Sequence, residues 1–244
     1  MPTPLADAAG ITAGPVVVLR GEQPGELLVS TRDAALARVR AALGTTGGPP
    51  GVVPRPLLPA LVALGRTAPG PAAGGRVDLP DDGPIVCDTA PLLALLDGTP
   101  AGEALVPLLP RVLITDWVRH ELFRTLLAAG LTTTAADAPP EVRAGRPDRH
   151  DHMMDTLAAL GLRIAYLTDE WAPVNTLEFA LRAVDGLTDA ERATLALATH
   201  HGVPALLGRP IGELPAAAAG VTVVDYRDLA PAPAADDPLL ATPA

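Results

Sequence analysis

The chain of 244 residues contains no lysine, and all 18 of its basic residues are arginine. That absence excludes a P-loop lysine, a Schiff-base lysine and a Ser-Lys dyad together. Cys87 is the single cysteine, so an intrachain disulfide and a cysteine-ligated zinc site are ruled out. Ser30 is the sole serine and no G-x-S-x-G surrounds it, which removes a serine hydrolase. Aromatics make up only 2% of the residues. The core must therefore be packed from Leu, Val and Ala, and rings on which nucleic-acid bases could stack are scarce. No Gly-rich fingerprint follows a strand, which argues against a dinucleotide-binding loop. No apolar run is long enough to span a bilayer and no Arg-flanked signal segment opens the chain. The expected location is cytoplasmic, away from membrane.

What is present points to a globular protein. Hydrophobic residues reach 48%, enough for a substantial core. The 28 Pro and 23 Gly are unevenly spread, which fits neither collagen nor uniform disorder. The formal charge of −10 argues against a protein that coats DNA or an anionic membrane through its overall field. It leaves room for nucleic acid held by a local cationic patch or through a bound divalent ion, which reverses the sign of a carboxylate cluster.

The pattern of apolar runs sets the fold class. Pro84 to Thr89, with the apolar run Ala90 to Leu96 behind it, reads as a buried strand turning into a helix, with Thr89 as N-cap and Pro91 in the first turn. Asp88 then stands at the carboxyl end of a strand, where open α/β sheets place their ligands. Arg111 to Thr115, Arg163 to Thr168, Pro204 to Leu207 and Val221 to Asp225 read as further strands. Helices are expected between them: one capped by Asp116 and running to Gly130, one around His152 to Leu160, one from Thr176 to Val184, and one capped by Thr188 and ending at Gly202. Alternating strands and helices mean a mostly parallel sheet covered on both faces, an α/β three-layer sandwich.

Ahead of this unit, residues 1–82 read as a small βα extension followed by a Gly/Pro-rich linker: strands at Val16 to Leu19 and Glu26 to Val29, a helix capped by Ser30 or Thr31 and closed by Gly44, and a short helix from Leu57 to Leu64. The main domain covers 83–230. Residues 231–244, rich in Pro and Ala with Asp236 and Asp237, read as a disordered tail.

Three pieces of the main domain stand in a telling order. They are Ile85-Val86-Cys87-Asp88-Thr89 with its Leu-rich helix, Val112 to Leu122 with Glu121 in a V-x-x-E-L pattern, and Gly186-Leu187-Thr188-Asp189-Ala190-Glu191 leading into an Ala-rich helix and Pro204 to Leu207. Together they resemble a PIN domain over about Gly83 to Asp228. The resemblance implies a metal-dependent ribonuclease in which clustered carboxylates hold Mg²⁺ or Mn²⁺, with RNA as substrate. Hard divalent cations take oxygen ligands, and a metal-bound water of lowered pKa can attack a phosphodiester. Carried over by position, Asp88, Glu121 and Glu191 are the catalytic and metal-binding acids. Asp189 is a further candidate ligand, or else an N-terminal acid that suits the helix dipole. Many proteins of the family are toxins neutralised by an antitoxin partner, and many are homodimers.

The sequence departs from the family pattern after the fourth strand. Acids are expected behind Leu206-Leu207, and Gly208-Arg209-Pro210 stands there, with Glu213 and Asp225 the nearest acids. An Arg at that place brings a positive charge that competes with a metal ion, or else meets substrate phosphate. The alternative to a ribonuclease is therefore a catalytically inactive PIN-fold module that binds or regulates.

The remaining candidates have simpler readings. His150 and His152 do not share a helix face, so a solvated helix start is favoured there over a metal site. His200 and His201 suit the dipole in a last helical turn. His120 reads as a surface residue, Cys87 as a small buried apolar one, and Trp117 and Trp171 as core or interface indoles.

Overall fold

A computed structural model describes residues 16–20, 26–43, 57–64, 79–129, 131, 149–165, 171–209, 211 and 214–229. The elements in chain order are β1 (Val16–Arg20), β2 (Leu27–Thr31), α1 (Arg32–Leu43), α2 (Leu58–Ala63), β3 (Ile85–Cys87), α3 (Thr89–Leu96), α4 (Pro100–Glu103), β4 (Val112–Thr115), α5 (Asp116–Ala128), α6 (Arg149–Ala159), β5 (Arg163–Ala165), α7 (Trp171–Leu181), α8 (Asp189–His201), β6 (Ala205–Leu207) and β7 (Val223–Asp225). A 3₁₀ turn, Val106–Arg111, leads into β4, and another, Tyr226–Asp228, follows β7.

β3 to β7 form one five-stranded sheet in the order β5-β4-β3-β6-β7, every neighbouring pair parallel. Successive side chains of a strand point to opposite faces, and that alternation sorts these short runs between two cores. Ile85, Cys87, Val112, Ile114, Leu206 and Val224 join one apolar cluster with residues of α3, α5 and α6. Val86, Ala205 and Leu207 join a second one with residues of α7 and α8. Burial on both faces is why the strands read as continuous apolar runs. The expected α/β sandwich, a parallel sheet between two helical layers, is what the chain forms.

The N-terminal segment pairs β1 with β2 as an antiparallel hairpin. Val17, Leu19, Leu36, Val39 and Leu61 are buried in the same cluster as Leu93, Leu122 and Met153. At roughly 1.5–3 kcal/mol for a fully buried aliphatic side chain, such shared burial holds it firmly. Polar ties add to this. The Arg40 guanidinium donates to the Leu95 carbonyl and pairs with Glu103. The Asp97 carboxylate, just past α3, accepts the backbone N–H groups of Leu57 and Leu58, at 2.7 Å for the shortest contact, and so caps α2.

Two expected caps are corrected. Asp88, not Thr89, is the N-cap of α3, in extended conformation and without a side-chain cap bond. The Thr89 hydroxyl donates to the Glu121 carboxylate, a charge-assisted bond. At α5 the cap is Thr115, whose hydroxyl accepts the Val118 N–H at 3.3 Å. Asp116 is the first helical residue, where its charge favours the dipole. The expected strand residues 166–168, the loop residues 132–147, Glu213 and the tail 231–244 lie outside the described residues.

Candidate functional site

The carboxyl edge of the parallel sheet carries the predicted acids. Asp88 follows the central strand β3, is fully buried, and donates its backbone N–H to the Leu206 carbonyl at 2.9 Å. That bond ties the end of β3 to β6, the strand whose exit carries Arg209. Gly208, at this exit, packs so closely on α3 that an added Cβ would lie 2.5 Å from the Ala90 Cβ. Cys87, just before Asp88, is buried as expected. Burial first, and then the neighbouring Asp88 charge, push its thiol well above the ordinary range, so it stays protonated and is no nucleophile.

Glu191 lies in the first turn of α8, buried. Its position is fixed by a complete capping box. Thr188 Oγ1 accepts the Glu191 N–H at 3.2 Å, and Glu191 Oε2 accepts the Thr188 N–H at 2.9 Å. Two donors that open the helix are thereby satisfied reciprocally. At the other end Gly202 closes the helix at φ 65°, a left-handed conformation that only glycine adopts without strain.

Arg209 completes the cluster. Its Nε donates to Glu191 Oε1 at 2.9 Å and its Nη2 to Glu191 Oε2 at 3.2 Å, a two-pronged grip on one carboxylate. The same Nη2 donates to the Gly186 carbonyl at 2.6 Å. The Glu191 side chain is only 2% exposed and that of Arg209 24%, so solvent screens this pair far less than a surface pair. A cation approaching Glu191 would have to displace the guanidinium.

The other candidates fall nearby with separate attachments. Glu121, on α5, is half-buried and accepts from the Thr89 hydroxyl. Asp189, exposed in the first turn of α8, pairs with Arg192. Asp225 ends β7 buried, with its carboxylate accepting Arg227 Nε at 2.8 Å. Among the described residues no three His, Cys, Asp or Glu side chains gather into a group that could hold a metal ion.

His150 departs from the solvated helix start expected of it. It is buried and meets the Phe123 ring edge-on at 5.3 Å. The apolar partner lies across the fold, 27 positions away in sequence, and local spacing does not reveal it. His120 is exposed on α5, as expected.

A groove of about 310 Å³ opens beside the acids, between the first turns of α5 and α8 and the end of α2. Trp117, His120, Glu121 and Arg124 line it from α5, Leu64 from beyond α2, and Asp189 from α8. Trp117 is 41% exposed, so it is neither a core indole nor covered among the described residues. Arg124, also exposed, makes no hydrogen bond or ion pair among the described residues. Sequence reasoning missed this stripe. Its signal was available in the helical spacing of Trp117, His120, Glu121 and Arg124, which share one face.

Neither a family model nor a curated protein nor a solved structure matches the chain. Among the described residues no helix is long and apolar enough to cross a membrane.

Proposed function

We propose that this chain is a catalytically silent PIN-like module that acts by binding rather than by cleaving RNA. The observation that carries the reading is the Arg209 guanidinium held on both oxygens of the buried Glu191 carboxylate. A divalent cation needs several oxygen ligands directed at one point. Glu191 is spent on Arg209 and Thr188, and Glu121 accepts from Thr89. These engagements support a reading in which Arg209 supplies, within the chain, the positive charge that Mg²⁺ or Mn²⁺ would otherwise bring.

The second reading, a Mg²⁺- or Mn²⁺-dependent ribonuclease using Asp88, Glu121 and Glu191, is favoured by a different observation. Asp88 and Glu191 are both buried carboxylates at the carboxyl edge of the sheet, the edge at which parallel α/β sheets bind ligands. One experiment separates the two. Purified protein is titrated with Mn²⁺ by calorimetry and incubated with a panel of single-stranded and structured RNAs, beside Asp88→Asn. The binding-module reading expects no Mn²⁺ heat and no cleavage from either protein. Mn²⁺-dependent cleavage that Asp88→Asn abolishes would overturn it in favour of the ribonuclease.

A further inference from the structure

Two patches hold most of the large apolar side chains that stay exposed among the described residues. Val16, Val18 and Leu27, at 39%, 55% and 73% exposure, lie on the β1–β2 hairpin, and Trp117, at 41%, lies in the groove beside α5; the others are Leu127 and Phe179. The hairpin face follows from register, with Val18 opposite Val29 and Leu27 opposite Arg20. Side chains two apart on a strand share a face, so Val16, Val18, Leu27 and Val29 form one apolar surface while Val17 and Leu19 turn into the core. Glu26, also exposed, precedes Leu27. An acid thus borders the most exposed aliphatic side chain of the hairpin.

The groove is the complement of that face. Leu64 and Leu187 supply aliphatic surface next to Trp117. Its acids are engaged, Asp189 with Arg192 and Glu121 with Thr89, whereas Arg124 makes no hydrogen bond or ion pair among the described residues. An indole and a guanidinium around an apolar seat are the side chains that carry binding energy at protein interfaces. The two patches also adjoin across the surface. His120 lines both the groove and a second cleft, of about 500 Å³, whose other side is His150 and Asp151 at the start of α6, and α6 packs on β1 of the hairpin. A ridge at one end of such a surface and a groove at the other are self-complementary under a two-fold rotation, which uses each contact twice.

We infer that two copies of this chain pair by exchanging these patches: Leu27 and Val18 of one hairpin seat on Trp117 and Leu64 of the other copy, with Glu26 on Arg124. A standard interface buries about 800 Å² on each partner, more than a groove of about 310 Å³ supplies alone. A closed pair engages the groove and the hairpin face of both copies, and a single contact does not. The hairpin lies outside the stretch from Gly83 to Asp228 that resembles a PIN domain, so this contact belongs to this chain and not to the family pattern. It uses neither Asp88 nor Arg209, so it stands or fails apart from the function proposed above.

The test is sedimentation of the full chain over a concentration series, with a dimer expected for the wild type. Arg124→Glu and Glu26→Arg should each raise the dimer dissociation constant about 25-fold or more, since losing an exposed ion pair costs up to about five-fold and a closed pair has two of them. An equimolar mixture of the two variants should dimerise again. In the mixed pair the reversed groove of one variant meets the reversed hairpin of the other, and the two unchanged patches meet each other. Leu27→Asp should give monomer, while Phe179→Asp, at an exposed site on α7 outside both patches, should not. Circular dichroism checks that each of these exposed-site variants stays folded. A wild type still monomeric at about 1 mM, where even a weak contact is populated, would overturn the inference. So would a single charge reversal that leaves the dimer intact, or a mixture that fails to re-form it. A continuous series of larger species would overturn the closed pair in favour of open head-to-tail chains.

Discussion

Replacing Arg209 with Ala tests the centre of the reading. The substitution leaves the Glu191 carboxylate, 2% exposed, without its guanidinium, while the Thr188 N–H still donates to it. Removing one partner of a buried ion pair costs about 3–5 kcal/mol, because the other charge stays buried and uncompensated. Arg209 is itself 24% exposed, so water entering its place recovers part of that and the expected loss is about 2–3 kcal/mol at neutral pH. For a chain of this size that lowers Tm by roughly 4–12 °C. Urea unfolding at fixed ionic strength measures it. Adding Glu191→Gln to Arg209→Ala should return much of the loss, since a neutral amide at 191 no longer needs a cation; the double variant isolates the pair from general damage. Mn²⁺ supplies a second readout. It should leave the wild type unmoved and raise the Tm of Arg209→Ala, in which Glu191 is open to a cation that binds only the folded state. A loss below about 0.5 kcal/mol, the range of ordinary surface changes, would refute the reasoning. So would a wild type that Mn²⁺ stabilises as much as it does the variant.

Two further outcomes follow from the geometry. Thr188→Ala removes the hydroxyl that accepts the Glu191 N–H and should cost about 1 kcal/mol, while Thr188→Ser should be near neutral; equal losses in thermal unfolding would contradict the cap. Asp97 has its pKa raised from 3.8 because desolvation outweighs the hydrogen bonds from Leu57 and Leu58. The folded state therefore binds this proton more tightly than the unfolded state, and the stability that Asp97 contributes is full below pH 3.8 and falls as pH rises through the folded value. Asp97→Asn lacks that loss, so its stability relative to wild type should improve from acid toward neutral pH. A difference that stays flat across that range in denaturant titrations would rule out the buried carboxylate as its source.

Most of the sheet was legible because its strands are buried on both faces and carry no polar interruption. Ile85–Cys87, Val112–Thr115 and Ala205–Leu207 are read directly from apolar runs that end on Asp88, Asp116 and Gly208. The capping box of Thr188 and Glu191 and the closing Gly202 were equally open to inspection, since their bonds are local. Arg111, read as strand, ends a 3₁₀ turn instead, and the segment from Thr99 to Pro110 was not read. It folds back as α4 and a 3₁₀ turn, and it can do so because Gly102 has no Cβ to meet the Ala94 carbonyl oxygen, 2.2 Å from where one would lie. A contact between residues on neighbouring turns of the path leaves no periodic trace in the chain.

The site shows the same division between near and far. Sequence position alone flags Arg209 as a misplaced cation, yet its meaning depends on a partner 18 residues away. Had it faced solvent beside the groove, it would have suited a substrate phosphate. Turned onto Glu191 and the Gly186 carbonyl, it joins the loop before α8 to the end of β6. The guanidinium at position 209 satisfies the charge of the buried Glu191 carboxylate, so that charge is compensated within the chain. Arg209→Asp removes that compensation and sets a second carboxylate beside Glu191, so the variant should lose stability and regain part of it with Mn²⁺ in thermal unfolding; a variant that Mn²⁺ leaves unmoved would refute this.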